Sequence, residues 1–394
     1  MFALKNWHNV KRILFAIIAI TLATQLPADA APKTVAATEL SKIASVAPYE
    51  GAVITSLGVT TFSNNEKKIA LTAIDFSGAE RWKVSLETLP DQIAMAATSE
   101  KDGTLWVAGM SAMPVNPRIE SATAPATNVD GVVVEPVPGL RNELNAVTVW
   151  KISPTGGLLA TYVDTATAPM LITAVSHSTT GLTIMGDRGA GTILISMTAT
   201  GKFTTSKAIG TAKSSFNSLF RNSDGSAYIY GASSETLGGK KVAGLRDGIL
   251  AKVNKSGALT SVVRSSANKA TRSWVSATST IFLIGDMKVG GKNETAFTKF
   301  NSSFSPTWTL RLPSTGTLLA ATGANGSHYA LFNSTSTITG VSGWKPTGAI
   351  ALRFDSKGVI TQALKAPQIK SADAMAYVQG VGLVIVTPTG VFKG

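Results

Sequence analysis

The chain has 394 residues, of which 44% are hydrophobic and 15% charged, with no cysteine and a formal net charge of +13. This length allows a sizeable core, and the low charge content, against a usual ~25%, argues against a coiled coil or a charged disordered tail. Because cysteine is missing, disulfides, thiolate metal sites and cysteine nucleophiles are excluded, and we expect a large non-covalent core to stabilise the fold.

The first thirty residues have the pattern of a cleaved secretory signal peptide. Lys5, Lys11 and Arg12 precede an apolar run over residues 13–23, and a site of small residues ends at Ala30. The run is too short to cross ~30 Å of hydrocarbon, which needs about twenty residues. We therefore expect cleavage after residue 30 and a secreted mature protein, extracellular or associated with the cell envelope, without a transmembrane segment.

From residue 31 onward, two patterns of short β-rich segments alternate along the chain. In the first pattern, a turn precedes an apolar run that often ends in glycine, at 50–58, 102–109, 180–186, 224–231, 278–285, 325–332 and 379–386. In the second pattern, a tight polar turn joins two strands, at 71–84, 147–160, 194–205, 249–262, 297–310 and 351–364. A period of about 50 residues with some four strands per unit is the signature of a β-propeller. A plain β-sandwich is the alternative, although it would not repeat one turn motif at this spacing.

The repeats predict an all-β fold, a single β-propeller domain over residues 31–394. We expect seven blades of about four antiparallel strands, because the first pattern occurs seven times. Six blades with a partial extra unit are the alternative, because the second pattern occurs six times. One blade built from both chain ends usually closes such a ring, and residues 32–40 are the candidate strand that completes the C-terminal blade.

Two segments resemble known propeller repeats. Residues 73–82 (AIDFSGAERW) are similar to the A-x-D-x-x-[TS]-G-x-x-x-W tryptophan-docking motif of quinoprotein-like propellers, and residues 224–259 are similar to the SBBP-type repeat of secreted bacterial propellers. The resemblance implies a structural role for Asp75, Gly78 and Trp82, with the indole of Trp82 packed between blades. It implies no redox role, because the adjacent cysteines of quinoprotein dehydrogenases are missing, and we expect no cofactor.

A long proline-containing insertion at residues 111–143 interrupts the repeats. It is longer than ordinary connections and belongs to the loops on the face opposite the tight glycine turns, together with loops 232–246, 286–294 and 333–348. It is either a flap over the channel mouth or a contact with another molecule, or else a mobile insertion that the fold tolerates.

The mature chain offers few residues for catalysis. His177 and His328 fall in the third and sixth repeats, and no nucleophile elbow or phosphate-binding loop is present. We therefore assign no catalytic residue and no metal ligand. Asp187 and Asp286 each follow the glycine that ends an inner strand, where they either bind Ca²⁺ or a polar ligand, or cap a loop by hydrogen-bonding its backbone.

Positive charge is concentrated in residues 202–292, which hold fourteen Lys and Arg against four acidic residues. The candidate binding residues in this span are Lys240, Lys241, Arg246, Lys269 and Arg272. A concentrated field of one sign attracts polyanions, so the expected partner is an anionic cell-wall polymer or polysaccharide, or another envelope protein. Sparse aromatic residues argue against specific nucleic-acid binding. The alternative is that this charge only keeps the protein soluble, and we expect a monomer.

Two functions remain open from the sequence. The first is an exported, non-catalytic propeller that acts as a binding or scaffold module at the cell envelope. The second is an extracellular enzyme, a lyase or hydrolase, with a carboxylate or Ca²⁺ site at the channel mouth. The fold does not decide between them, but the poor supply of acid and base groups favours the binding module.

Overall fold

A computed structural model describes residues 34–113, 143–165, 169–346 and 348–394. The expected signal segment 1–30 lies outside these residues, as does most of the insertion at 111–143. Within the described residues, no helix has the length and apolar character needed to cross a membrane. The strands all belong to one compact unit, Val35–Gly394.

The described residues are almost entirely β-strands joined by turns and loops. The first fourteen strands are β1 (Val35–Glu39), β2 (Ser41–Ala44), β3 (Gly51–Thr55), β4 (Gly58–Asn65), β5 (Lys68–Ile74), β6 (Glu80–Leu86), β7 (Gln92–Ser99), β8 (Leu105–Ser111), β9 (Ala146–Ile152), β10 (Leu158–Asp164), β11 (Leu171–Ser178), β12 (Gly181–Asp187), β13 (Thr192–Thr198) and β14 (Phe203–Ile209). The next eight are β15 (Ser214–Arg221), β16 (Ala227–Ser233), β17 (Asp247–Val253), β18 (Leu259–Ser265), β19 (Thr271–Ala277), β20 (Phe282–Val289), β21 (Lys292–Phe300) and β22 (Pro306–Thr322). A single 3₁₀ turn (Ala324–Gly326) precedes β23 (His328–Ser334), β24 (Val341–Ser342), β25 (Gly348–Phe354), β26 (Ile360–Ala366), β27 (Ala374–Val378), β28 (Gly382–Thr387) and β29 (Gly390–Lys393).

The strands arrange into the predicted all-β propeller, but the predicted number of blades is wrong. Five separate sheets have four strands each, in the orders β3-β4-β5-β6, β10-β9-β8-β7, β11-β12-β13-β14, β15-β16-β17-β18 and β2-β29-β28-β27. The other strands form one nine-stranded sheet, β19-β20-β21-β22-β23-β25-β26-β1-β24. The structure therefore has five separate four-stranded blades, not seven or six.

The long strand β22 is the physical reason for this difference. It pairs with β21 through residues 306–313 and continues without a break to pair with β23 through residues 314–322. Two repeat units that the sequence pattern suggests are therefore joined into one sheet.

The strands closest to the centre form a closed cycle. Strands β3, β7, β11, β15, β19, β22 and β27 contact one another in that order, and β27 contacts β3. Paired strands that follow each other in the chain are antiparallel, so their connections alternate between two ends of the molecule. We call the end with the tight polar turns, such as residues 75–79, the tight-turn face, and the opposite end the long-loop face.

The N-terminal strands close the ring in a different way from the one predicted. Strand β2 pairs with β29 and completes the C-terminal blade, so residues 41–44 fill the place expected for residues 32–40. Strand β1 instead runs parallel to β26 and β24 in the nine-stranded sheet. Because these two short strands are consecutive, the start of the described chain ties the nine-stranded sheet to its neighbouring blade.

Apolar side chains fill the space between neighbouring sheets. One cluster unites Ile69 and Leu71 of β5 with Val107 of β8 and Trp150 of β9, all of them buried. Strand β8 is buried at every position, since the sheets on both sides cover it. Edge strands such as β6 instead alternate between exposed and covered positions.

The tight turns share one local cause. The Asp75 carboxylate accepts hydrogen bonds from Ser77, through its hydroxyl and backbone N–H, and from the backbone N–H of Ala79. These bonds, that of Ser77 first, lower the pKa of Asp75. The turn needs Gly78 at a φ of 90°, a conformation that favours glycine. Equivalent side-chain caps recur at Ser153, Thr198, Asn254, Asn301 and Asp355.

The indole of Trp82 lies against the tight turn of the next blade. Its Nε1 donates to the carbonyl of Pro154 at 2.9 Å, and its ring covers Gly156, where an added Cβ would come within 2.8 Å of the ring. Trp308 makes the same contact with a later turn, because its Nε1 donates to the carbonyl of Ser356 and its ring covers Gly358. Trp82 is only partly buried in this position.

Candidate basic binding site

Two loops on the long-loop face are fixed to each other. They connect β16 to β17 and β18 to β19. The backbone N–H of Leu245 donates to the carbonyl of Ala270 at 2.8 Å, and the backbone N–H of Arg272 donates to the carbonyl of Arg246 at the same distance. Arg246 also forms a parallel bridge with Thr271. The start of the inner strand β19 is thereby held beside the end of the β16–β17 loop, and Arg246 lies next to Arg272.

A buried ion pair fixes the β16–β17 loop. Arg264 Nη1 lies 3.2 Å from Asp247 Oδ2, and the two side chains are 8% and 0% exposed. The Asp247 carboxylate also accepts from the backbone N–H groups of Ala243 and Gly244, each at 2.9 Å. The Arg264 guanidinium further donates to the backbone carbonyls of Ser233, Glu235 and Lys240. The loop that carries the two adjacent lysines is therefore a well-anchored part of its blade.

A cavity of about 350 Å³ opens beside these loops at the starts of β19 and of the second half of β22. Both strands belong to the closed cycle of contacting strands, and the β20–β21 hairpin beside them adds further lining residues. Its lining residues are Arg246, Thr271, Arg272, Ser273, Asp286, Met287, Lys288, Asn293, Glu294, Ser314, Thr315 and Gly316. It brings together three residues predicted from the sequence, namely Arg246, Arg272 and Asp286.

Arg272 is held rigidly at one side of this cavity. Its guanidinium carbon lies 4.3 Å from the centre of the Trp274 ring, and Nη2 donates to Thr298 Oγ1 at 3.3 Å. Its Nε is buried and has no hydrogen-bond partner. Burial, and to a lesser degree Arg311, lower the pKa of Arg272 to about 10, so the side chain stays charged at neutral pH.

The other two cations of the cavity are Arg246 and Lys288. Arg246 Nη2 donates to Ser215 Oγ at 2.6 Å, which fixes its guanidinium to the start of β15. Within the described part of the chain, Arg246, Arg272 and Lys288 have no carboxylate at ion-pair distance. The cavity thus presents three positive charges for which the described residues supply no counterion.

Two carboxylates, Asp286 and Glu294, also line the cavity. Asp286 Oδ1 accepts the backbone N–H of Thr317 at 2.9 Å. Glu294 Oε2 is paired with Arg311, at 2.6 Å from Nη2. Each carboxylate keeps a second oxygen that is able to accept a hydrogen bond from a ligand.

The remaining predicted binding residues lie outside the cavity. Lys240, Lys241 and Lys269 are exposed on the two packed loops beside it. Asp187 belongs to the β11–β14 blade, and its Oδ1 accepts the backbone N–H of Gly189 at 2.5 Å. The structure therefore does not bring Asp187 and Asp286 together, although each directly follows a glycine in the sequence.

The basic span 202–292 is divided between the two faces. Lys202 and Lys255 lie at tight turns, and Arg221 is buried against the neighbouring blade, where it donates to Ser178, Thr180, Leu182 and Thr183. The long-loop face carries most of the rest, namely Lys213, Lys240, Lys241, Arg246, Lys269, Arg272, Lys288 and Lys292. The predicted wedge of charge is therefore concentrated at one end of the blades.

A second polar cluster was missed by sequence reasoning. Glu100 Oε1 accepts Trp106 Nε1 at 2.8 Å and lies 3.3 Å from Lys151 Nζ and 3.8 Å from His177 Nε2. Trp106 stacks on His177 with ring centres 5.7 Å apart. Burial lowers the pKa of His177 against the opposing effect of Glu100. The four residues come from different strands and turns of two blades, and no local motif marks them.

The described residues contain no group of three or more His, Cys, Asp or Glu side chains placed to hold a metal ion. The two histidines lie in different sheets, His177 in β11 and His328 in β23. His328 is 1% exposed and stacks on Phe282, and burial, with help from Lys299, lowers its pKa to about 4.

Comparison with known proteins supports the fold. No family model and no curated protein matches the sequence. Among solved structures, a streptogramin B lyase aligns with a TM-score of 0.55 and 13% identity over 90% of this chain and 96% of the lyase chain. The Dos1 propeller aligns with a TM-score of 0.50 and 12% identity over 89% of this chain and 81% of its own. These neighbours are β-propellers, and at such low identity the likeness shows the fold alone.

Proposed function

We propose that this protein is an exported β-propeller of the secreted bacterial repeat type, a binding or scaffold module that holds an anionic polymer at the cell envelope. The observation that carries the proposal is the fixed pair of loops on the long-loop face. They present Lys240, Lys241 and Lys269 to solvent next to a cavity whose three cations have no counterion from the described residues. Export is proposed from the pattern of residues 1–30.

The physical basis is a local positive field on an anchored surface. Exposed lysines attract a polyanion over a Debye length of ~8 Å at 0.15 M salt, and binding releases counterions from the polymer. Because hydrogen bonds and the buried Arg264–Asp247 pair hold the β16–β17 loop, little loop entropy is lost on binding. We therefore expect weak binding that falls steeply with salt.

Retention of the mature protein on immobilised polygalacturonate tests the proposal. The triple variant Lys240→Gln, Lys241→Gln, Lys269→Gln is expected to elute at clearly lower salt than the parent. Its matched control replaces Lys67, Lys357 and Lys370, three exposed lysines outside the basic span, with glutamine.

Thermal unfolding of both variants should stay close to the parent, since exposed charges contribute little to stability. An equal loss of retention in the two triple variants would mean that net charge, and not this surface, binds the polymer. No loss in either variant would mean that the lysines only keep the protein soluble.

A further inference from the structure

The cavity beside the two loops combines charged and polar side chains in the way a specific ligand subsite does. A half-buried guanidinium without a counterion is costly, because its lost hydration is not repaid by a charge partner. Among the described residues Arg272 has no carboxylate at ion-pair distance, its guanidinium lies over the Trp274 ring, and its Nε has no hydrogen-bond partner. Arg246 and Lys288 add two further charges to the same cavity. A bound anionic group in contact with these cations would stabilise their charges.

The carboxylates of the cavity restrict which anion fits. Asp286 and Glu294 repel a ligand with several negative charges, but their free oxygens accept hydrogen bonds from hydroxyl groups. Hydroxyls of Ser273 and Thr315, and the amide of Asn293, add neutral polar partners. The complementary ligand therefore carries one negative charge and several hydroxyl groups.

We propose that this cavity binds one monoanionic, polyhydroxylated unit of the polymer, with Arg246, Arg272 and Lys288 holding the anion and Asp286 accepting a ligand hydroxyl. The inference rests on the proposed binding function and names the unit that is recognised. A hexuronate and a polyol in phosphodiester linkage share this chemistry. A volume of about 350 Å³ lies at the small end of ligand pockets, which suits a short unit rather than a long stretch of chain.

Isothermal titration with small probes tests the ligand class. The probes are glucuronate, glycerophosphoglycerol, glucose, which lacks the charge, and acetate, which lacks the hydroxyls. We expect glucuronate or glycerophosphoglycerol to bind at least about tenfold more tightly than glucose and acetate. The tighter of these two probes shows whether the recognised unit is a hexuronate or a polyol in phosphodiester linkage. Equal affinity for all four probes would overturn the inference.

Substitution of Asp286 separates hydroxyl recognition from general electrostatics. Removing a negative charge from the cavity should by itself strengthen binding of an anion. Under the proposal, Asp286→Asn instead weakens binding of the preferred probe about fivefold, because a charged acceptor is lost. The asparagine still accepts the backbone N–H of Thr317, so the local fold is kept. Unchanged or tighter binding in this variant would overturn the inference.

Asp187→Asn is the matched control, since it makes the same charge change at the other Gly-Asp step, outside the cavity. It is expected to leave the affinity unchanged. Arg272→Gln is expected to weaken binding at least about tenfold, and retained affinity would likewise overturn the inference.

The two proposals fail in different ways. The triple lysine variant should lose retention on polygalacturonate yet bind the small probe as the parent does. Retention by the parent without binding of any small probe would overturn this inference and leave the proposed function intact. Binding of the small probe without retention on any polymer would overturn the proposed function alone.

Discussion

The buried pair of Arg264 and Asp247 allows the sharpest stability prediction. Arg264→Gln leaves the Asp247 carboxylate, which is fully buried, without its charge partner. It also removes donors from three backbone carbonyls in and next to the β16–β17 loop. Loss of one member of a buried ion pair costs about 3–5 kcal/mol of unfolding free energy. The unit Val35–Gly394 has an unfolding entropy of about 0.75 kcal/mol/K, so the midpoint should fall by about 4–7 °C.

The same substitution should open the loop locally. Lys240 and Lys241 are exposed trypsin sites on a segment that the ion pair holds in place. Because a cost of 1.4 kcal/mol already raises an open population tenfold, cleavage at these lysines should become at least about tenfold faster. Cleavage at Lys67, on a hairpin of another blade, should not change.

Arg311→Gln is the control for the stability measurement. It removes an ion pair with Glu294 whose side chains are 47% and 20% exposed, and such pairs contribute below about 1 kcal/mol. An Arg264→Gln midpoint within about 1 °C of the parent, with no faster cleavage in the loop, would refute the structural role given to the ion pair.

Acid should reduce the difference between the parent and Arg264→Gln. Burial raises the pKa of Asp247, but hydrogen bonds from Ser266, Ala243, Gly244 and Arg264 outweigh it, so the pKa is lowered on balance. A carboxylate with a lowered folded-state pKa stabilises the fold above its unfolded pKa of ~3.9 and loses this contribution as the pH falls through the folded value. The gap between the two midpoints should therefore be largest near neutral pH and shrink below about pH 4.

Two further predictions concern the docking tryptophan and the N-terminus. Trp82→Ala should lower the free energy of unfolding by about 2–3 kcal/mol, less than the ~3–5 kcal/mol of a fully buried tryptophan, because the ring is only partly buried. Chemical denaturation measures this loss. A value below ~1 kcal/mol would mean that the contact of Trp82 with Pro154 and Gly156 does not stabilise the fold. N-terminal sequencing of exported protein should begin at Ala31, and a mature chain that still starts at Met1 would contradict the expected cleavage.

The fold class followed from the sequence because its cause is local. Each unit repeats an apolar strand and a capped turn, and a residue such as Asp75 or Asn254 determines its turn through bonds to the next few backbone N–H groups. The number of separate blades did not follow from the same signals. The sequence pattern assigns the segments 297–310 and 325–332 to different units, yet Pro313 and Ser314 between them occupy consecutive positions of one continuous strand.

The site was only partly predictable for a related reason. The distribution of charge along the chain identified Arg246 and Arg272. Basic residues that are close in sequence stay close in the fold, because blades that are consecutive in sequence are neighbours in space. Local sequence did not separate Asp286 from Asp187, since each directly follows a glycine after an apolar run, and the structure places both on the second strand of a sheet, not on the inner strand expected. Their difference comes from their partners, because Asp187 bonds the nearby Gly189, whereas Asp286 bonds Thr317, which is remote in sequence.

The continuous strand β22 also explains how one carboxylate of the cavity is held in place. Its residues 314–316 form one wall, and the next residue, Thr317, donates its backbone N–H to Asp286. The hydroxyl of Thr295 on β21 binds both Ser314 and Thr317, so the strand is held where it passes from one partner to the other. The two arginines depend on the β16–β17 loop, which places Arg246 beside Arg272. Since the loop positions Arg246 while Asp286 is held by β20 and by its bond from Thr317, loosening the loop through Arg264 should weaken anion binding while Asp286 keeps its position.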